Sequence, residues 1–456
     1  MSNFFYRNLK KNYPVIAKAQ GAWVWDKSGN KYLDASSGAI VANIGHGVDA
    51  VREAVNDQMN EAAFAHTSQF VSEAGLHLAE RLVRLSGLQE GRVYFTSGGS
   101  ESVETALKMA RAYFVEKGEH SRKLCIGRLP SYHGSSFGAL SVTGHPARRR
   151  PYLPLLDSSL TFNRGQWQFA NTPYPYRCRC GAKGVCASDA CGKAYAAELE
   201  TLIAENGAEN VMAFIGEPVV GASMGALPPH ESYWREVRSI LDKHGVLLIA
   251  DEVMTGLGRV GEKMGLDLWG IKADIIALGK GLSAGYLPLG AVVASSAIVK
   301  AFEDGSGVFE HGFTYSGHPV ACAAGVAVLD YVERNRLIEA VAKKESRFFQ
   351  GFRNLSAYEI VGDIRGRGFL AGIELVANRT TKEPFPADVR ISQVLAREAL
   401  AFGLMVYPGG GFLPDGKGDH IMIAPPFTIA DDELEEMFKR LNMALGSVSQ
   451  TLMTIG

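Results

Sequence analysis

Asp251 and Lys280 stand at the ends of two short apolar runs: Asp251 follows residues 246–250 at once, and Lys280 comes two residues after 275–278. An acid and an amine brought to one rim by neighbouring strands suit pyridoxal phosphate chemistry. A lysine amine holds the cofactor aldehyde as a Schiff base, and an acid facing the ring nitrogen keeps it protonated, so that the ring accepts electrons. An ordinary ion pair is the rival reading of any one Asp and Lys. Lys280 lies in the run GKGLSAGY (279–286), where small residues on both sides let a bulky ring approach the backbone.

The elements that must position this pair are legible nearby. Apolar runs of four or five residues, separated by enough chain for a crossover, read as parallel strands buried on both faces. Their carboxyl ends form the edge where ligands bind in open parallel sheets. In RVYFTSGGSESVETALKMARAYF (92–114), residues 92–95 read as a strand; Val103, Ala106, Leu107, Ala110 and Phe114 recur at helical spacing, so a helix starts near Ser100. Strand, glycine turn and helix start make an anion site, because free N–H groups and the positive helix end favour a phosphate. No lysine follows the glycines, which excludes a nucleotide-triphosphate loop.

A strand at 123–127 leads to Ser131-Tyr132-His133-Gly134-Ser135, where an aromatic ring can lie on a cofactor face. Another, at 211–214, reaches Glu217 and Pro218, and 231–242 reads as a crossover helix. Helical spacing also marks 49–64 and 73–85, with His46 in a turn between glycines. The alternation from 92 to 295 argues for one large, mainly parallel domain. Near the start, GAWVWDKSGNKYLDASSG reads as a hairpin with Trp23, Trp25, Tyr32 and Leu33 on one face.

Composition narrows the function classes. At 456 residues the chain has room for about two or three domains. Its 47 basic and 48 acidic residues give a net charge of −1, which favours a small-molecule partner over nucleic acid or an anionic membrane. The first twenty residues hold no apolar run of signal-peptide length, and a cytoplasmic location is expected. Residues 281–299 carry no charge, but their glycines, serines and Pro288 fit a loop and a buried strand rather than a membrane span.

The runs IADEVMTGLGRVG and ALGKGLSAGYLPLGAV, together with TSGGSESVETALKMAR, resemble the signature of the class III pyridoxal-phosphate aminotransferases, the family of omega-amino-acid and amine transaminases. The resemblance runs along nearly the whole chain. It implies an α/β fold of the type I pyridoxal-phosphate-dependent class: a large domain with a mainly parallel sheet (56–330) and a small α+β domain (331–456, joined by 1–55). It implies pyridoxal 5'-phosphate as cofactor, Lys280 and Asp251 as catalytic residues, and cofactor contacts from Gly99, Ser100, Tyr132, His133, Glu217, Asp251, Val253, Lys280 and Thr314. Thr314 in such a protein reaches the phosphate in the neighbouring subunit, so a homodimer with shared sites is implied. The implied reaction moves an amino group from an amine or omega-amino acid to a 2-oxo acid, pyruvate or 2-oxoglutarate. An aminomutase or decarboxylase on the same scaffold is the alternative.

By the same resemblance residues 37–40 line the substrate pocket, with Ile40 where many amine transaminases carry tryptophan. Members often hold a substrate carboxylate with an arginine near the carboxyl-terminal strand. Here LMVYPGGGFLPDGKGDHIMIAPP (404–426) has none, Lys417 reads as a solvated loop residue, and the clamp must come from elsewhere. Cys178, Cys180, Cys186 and Cys191 crowd one Pro- and Gly-rich loop, but their spacing is not that of paired C-x2-C knuckles. Free thiols in a surface excursion are the expectation, and structural zinc the alternative.

Overall fold

In a computed structural model describing residues 3–156, 158–163 and 166–455, the chain opens with an antiparallel ribbon of β1 (Ile16–Gln20), β2 (Trp23–Asp26) and β3 (Lys31–Asp34). Trp23 pairs with Leu33 and Val24 with Tyr32. Opposed residues share a face and adjacent ones do not. Tyr32 therefore lies on the face opposite Trp23, Trp25 and Leu33, which corrects the expectation that all four align. Its hydroxyl donates to Asp26 Oδ2 over 2.9 Å, while Asp26 Oδ1 accepts the Ser28 and Asn30 amides across the turn.

Helices α1 (Asp49–Glu61) and α2 (Glu73–Ser86) follow. The central region then alternates strand and helix: β4 (Arg92–Thr96), α3 (Gly99–Glu116), β5 (Leu124–Leu129), β6 (Phe169–Asn171), α4 (Asp189–Asn206), β7 (Val211–Gly216), α5 (Tyr233–His244), β8 (Leu247–Asp251), β9 (Ile275–Leu278) and β10 (Gly290–Ala294). They form one seven-stranded sheet in the order β4-β10-β9-β8-β7-β5-β6. Every neighbouring pair is parallel except those of β10, which runs antiparallel to both β4 and β9. The short return at 279–289 carries no crossover helix, and that dictates the reversal.

Both faces of the sheet are covered, so its strands read as continuous apolar runs. Leu247 and Ile249 pack with Ile275, Val292 and the inner side of α3; Leu248 and Ala250 pack with Ile276, Val293 and Trp234 of α5. Six strands point the same way, and the carboxyl ends of β4, β5, β7, β8 and β9 meet at one edge.

The chain continues through α6 (Pro319–Arg334), α7 (Leu337–Gln350), β11 (Val361–Arg367), β12 (Leu370–Leu375), α8 (Ile391–Ala401), β13 (Leu404–Met405), β14 (Tyr407–Gly410), β15 (Asp419–Ile423) and α9 (Asp431–Ile455). A four-stranded sheet has the order β11-β12-β15-β14. The run IRGRGFLAGIELV, strand-like along its length in sequence, folds as a hairpin. Gly368 turns it at φ +56°, where an added Cβ would lie 2.5 Å from the Val260 carbonyl carbon. β13 pairs in parallel with β3, Leu404 opposite Leu33, so the first fifty residues share a core with the last hundred.

The cysteine-bearing loop is not a surface excursion. Cys178 and Cys186 are buried, Cys191 half-buried and only Cys180 exposed; none is in a disulfide. Tyr174 and Tyr176 draw the loop inward by packing on Val220, Met224, Leu227 and Phe412. Among the described residues no helix is long and apolar enough to cross a membrane.

Candidate active site

β8 delivers Asp251 as its last residue, buried at the sheet edge. Its Oδ2 lies 2.7 Å from His133 Nδ1, and its Oδ1 accepts the Val253 amide over 3.1 Å. These partners fix the carboxylate plane. His133 arrives from the loop after β5, anchored by its own amide, which donates to Thr143 Oγ1 over 2.9 Å.

β9 delivers Lys280 two residues past its end, at a φ of +42° that costs a non-glycine residue about 1 kcal/mol or more. Burial pulls its amine down to about 8; Asp251 and Glu217 oppose that shift, and Arg148 and Arg259 reinforce it. The flanking glycines are required by close packing. A Cβ on Gly281 would fall 2.1 Å from Asn43 Nδ2, and one on Gly279 3.2 Å from the Gly99 nitrogen.

α3 begins at Gly99, and its N-cap residue, Gly98, has no side chain to cap the first amides. The first N–H groups of a helix have no partner within it. A Cβ on Gly99 would lie 2.8 Å from Val253 Cγ1, so only glycine lets this helix end sit beside the Asp251 turn. Ser100 Oγ accepts the Ser135 amide over 3.1 Å, closing the cradle against the loop that carries Tyr132 and His133.

Glu217 ties that loop to β7. Its Oε1 accepts the Tyr132 amide at 3.1 Å and its Oε2 the Gly221 amide at 2.7 Å. Burial raises its pKa, an effect that His133 offsets and Asp251 reinforces. The Tyr132 hydroxyl lies 3.0 Å from Ser135 Oγ, and the Arg148 guanidinium sits over the Tyr132 ring at 4.1 Å.

The contacts described bring together Gly99, Ser100, Tyr132, His133, Glu217, Asp251, Val253 and Lys280. Thr314 is exposed, in the turn before α6, and among the described residues no hydrogen bond links it to the others. The donor set fits pyridoxal phosphate: a partly neutral amine for the aldehyde, an oriented acid for the ring nitrogen, and an uncapped, glycine-lined helix start for the phosphate.

Two features were not read from the sequence. Arg259, within the quoted GLGRVG, is fully buried and donates to Asn43 Oδ1 (2.6 Å), Pro425 O (2.7 Å) and Phe369 O (3.0 Å). It joins the central stretch to both ends of the chain, and burial lowers its pKa to about 9. A single arginine in a Gly-rich apolar run was its only signal. The second is a basic group of His145, Arg148 and His420. Burial, with Arg148 second, takes His145 to about 4; burial, then Arg365, takes His420 to about 3. His145 Nδ1 and both His420 ring nitrogens lack partners among the described residues, and Arg148 has no acid there.

Comparison with known proteins accords with this geometry. The aminotransferase class-III family matches residues 5–445. The chain is 38% identical to an uncharacterised aminotransferase, YodT of Bacillus subtilis, over 99% of each chain. It is 35% identical to a putrescine–pyruvate aminotransferase of Pseudomonas aeruginosa, over 95% of this chain and 90% of that one. An amine transaminase from an uncultivated Pseudomonas species, solved with pyridoxal phosphate bound, superimposes with a TM-score of 0.87 at 35% identity, covering 98% of this chain and 99% of that one. The fold, the match along the chain and the set of groups at the sheet edge make this protein a class III aminotransferase, a pyridoxal-phosphate-dependent enzyme of fold type I that transfers amino groups.

Proposed function

We propose that Lys280 holds the cofactor covalently and Asp251 faces its ring nitrogen. Gly99 and Ser100 receive the phosphate, Tyr132 lies on the ring, and His133, Glu217 and Val253 complete the site. The observation that carries this reading is the shared sheet edge, where one set of strand ends presents the amine, the acid and the helix start. Bound there, pyridoxal phosphate supplies an aldehyde for amines and an electron-accepting ring.

Lys280 does the proton work. Burial, which pulls the amine down to about 8, favours its neutral form over that of a solvated lysine. As free base it takes a proton from the amine-bearing carbon of the donor and returns it on the other side of the transfer. His133 and the Val253 amide hold Asp251 in the orientation this requires.

The donor in this reading is an amine or omega-amino acid, and the acceptor a 2-oxo acid, pyruvate or 2-oxoglutarate. The name of the putrescine–pyruvate relative supports an amine donor with pyruvate as acceptor. Arg148 fits the acceptor's carboxylate: its guanidinium has no acid partner among the described residues, stacks on Tyr132 and acts electrostatically on Lys280. Lys417 is exposed, as a solvated loop residue is. A screen of amine donors against both acceptors, with keto-acid and carbon dioxide release measured, tests the assignment. Transamination with at least one acceptor, abolished in Lys280→Ala, is expected. Carbon dioxide release without amino transfer would contradict it.

The same reading includes a homodimer in which Thr314 contacts phosphate in the partner's site. In support, Thr314 is exposed, and the exposed ring of its neighbour Tyr315 meets that of Phe64 edge to face at 6.2 Å. It also takes 56–330 as the large domain and 1–55 with 331–456 as the small one, which the β3–β13 pairing supports. The unpaired thiols suit a cytoplasmic setting.

A further inference from the structure

Outside the group around Lys280, one cluster of metal-binding side chains is unused by the reaction. Cys178, Cys186, Cys191 and His230 bring their ligand atoms within 4.8 Å of one another. We propose that these four residues form a structural zinc site. A tetrahedral ion with Zn–S bonds of about 2.3 Å needs sulfurs about 3.8 Å apart, so the cluster has only to contract slightly.

Each ligand is positioned by the fold. Cys178 opens a tight turn in which its carbonyl accepts the Gly181 amide over 3.1 Å, at a residue with φ +74°. The Cys186 amide donates to Pro175 O over 2.9 Å, folding the second thiol back onto the first. Cys191 sits in the first turn of α4. His230 comes from far along the chain, just before α5, and its ring lies against Tyr195 at 5.7 Å and 27°.

His230 decides the case. It is buried, and neither ring nitrogen has a partner among the described residues. A buried imidazole without a hydrogen bond is costly, and a ring nitrogen aimed at three thiols has a metal as its natural partner. Three thiolates and one imidazole are a set that soft-liking, tetrahedral zinc takes. Cys180 is exposed, its sulfur 3.6 Å from that of Cys186, and is left outside the set. Binding releases three thiol protons to solvent, leaves the site with a net charge of −1 and involves no change of oxidation state.

The site would brace the contact between the two sheets. The loop it closes carries Arg177, whose Nε donates to Glu374 Oε1 on β12 over 2.9 Å, and Tyr176 and Ala182, whose carbonyls receive Lys382 Nζ. Zinc here stabilises and takes no part in catalysis.

The test is elemental analysis of the purified holoenzyme from zinc-supplemented medium, with cobalt substitution as second readout. About one zinc per chain is expected in the wild type and in Cys180→Ser, and under about a tenth in Cys191→Ser and His230→Ala. Cobalt should give intense tetrahedral bands with thiolate charge transfer even if those two variants fail to fold. Chelation should lower the melting temperature, and zinc should restore it. A zinc-free wild type with freely titrating thiols, a disulfide found by mass, iron in place of zinc, or zinc kept in His230→Ala and lost in Cys180→Ser would each overturn the assignment.

Discussion

Gly99 and Val253 meet where the start of α3 passes the turn after β8, so closely that a single added carbon on Gly99 would fall 2.8 Å from Val253 Cγ1. In the proposed site this contact sets the phosphate end and the acid end against each other. Gly99→Ala should weaken pyridoxal phosphate binding at least about tenfold, on the scale of an overpacked contact. Adding Val253→Ala should recover part of the loss. Cofactor titration of the apoenzymes checks both; equal affinity in Gly99→Ala and wild type would contradict the close packing.

Asp251 and His133 act as a unit across 2.7 Å. Asp251→Asn should cost about two to three orders of magnitude in kcat, as loss of an oriented charge does. His133→Asn should cost less and move the visible absorbance of the loaded enzyme, because it disturbs only the acid's orientation. Single-turnover rates and spectra of the two variants separate these roles; an unchanged spectrum in His133→Asn would remove His133 from the site.

The Lys280 amine, held near 8 by burial, must be neutral to react with an aldehyde. Because the free-base fraction grows with pH, cofactor uptake by the apoenzyme should rise about tenfold per pH unit below 8 and level off above it. Stopped-flow uptake from pH 6 to 10 measures this. A limb still rising at pH 10 would mean an ordinary solvated lysine.

Arg148 should matter most to substrates that carry a carboxylate. Arg148→Leu should raise KM for the 2-oxo acid about ten- to hundredfold, the worth of a charged hydrogen bond, and leave KM for a carboxylate-free amine within about twofold. Lysine at this position should rescue only part of the loss, since it lacks the planar fork. An equal rise for both substrates would point to a general packing defect.

Glu374 is the buried hub of the small sheet. It accepts from Arg365 at 2.6 Å, from Arg177 at 2.9 Å and from the Tyr174 hydroxyl. Glu374→Gln leaves the Arg177 guanidinium without its counter-charge and Arg365 with Asp363 alone, and should destabilise by about 3–5 kcal/mol. Denaturant unfolding followed from both sheets checks it; a loss under about 1 kcal/mol would show the hub to be dispensable.

Much of this was legible because burial on two faces writes itself as an unbroken apolar run. That is why β8, β9 and the residues at their ends could be read, and why the switch to helical spacing after Gly99 marked the start of α3. Direction is not encoded that way: nothing in GAVVA says that β10 runs against its neighbours. The hairpin at Gly368 was hidden because β11 buries the charged Asp363 and Arg365 where apolar residues would announce a strand face. His230 and Arg148 were illegible for another reason. Their partners lie far away in sequence, and only the folded chain brings the imidazole to the thiols or the guanidinium to Tyr132.

The account rests on Lys280 as the point of attachment, and borohydride reduction of the loaded enzyme followed by peptide mass mapping tests it most directly. The label should appear on the peptide containing Lys280 and vanish in Lys280→Ala. A label on any other lysine would contradict the account.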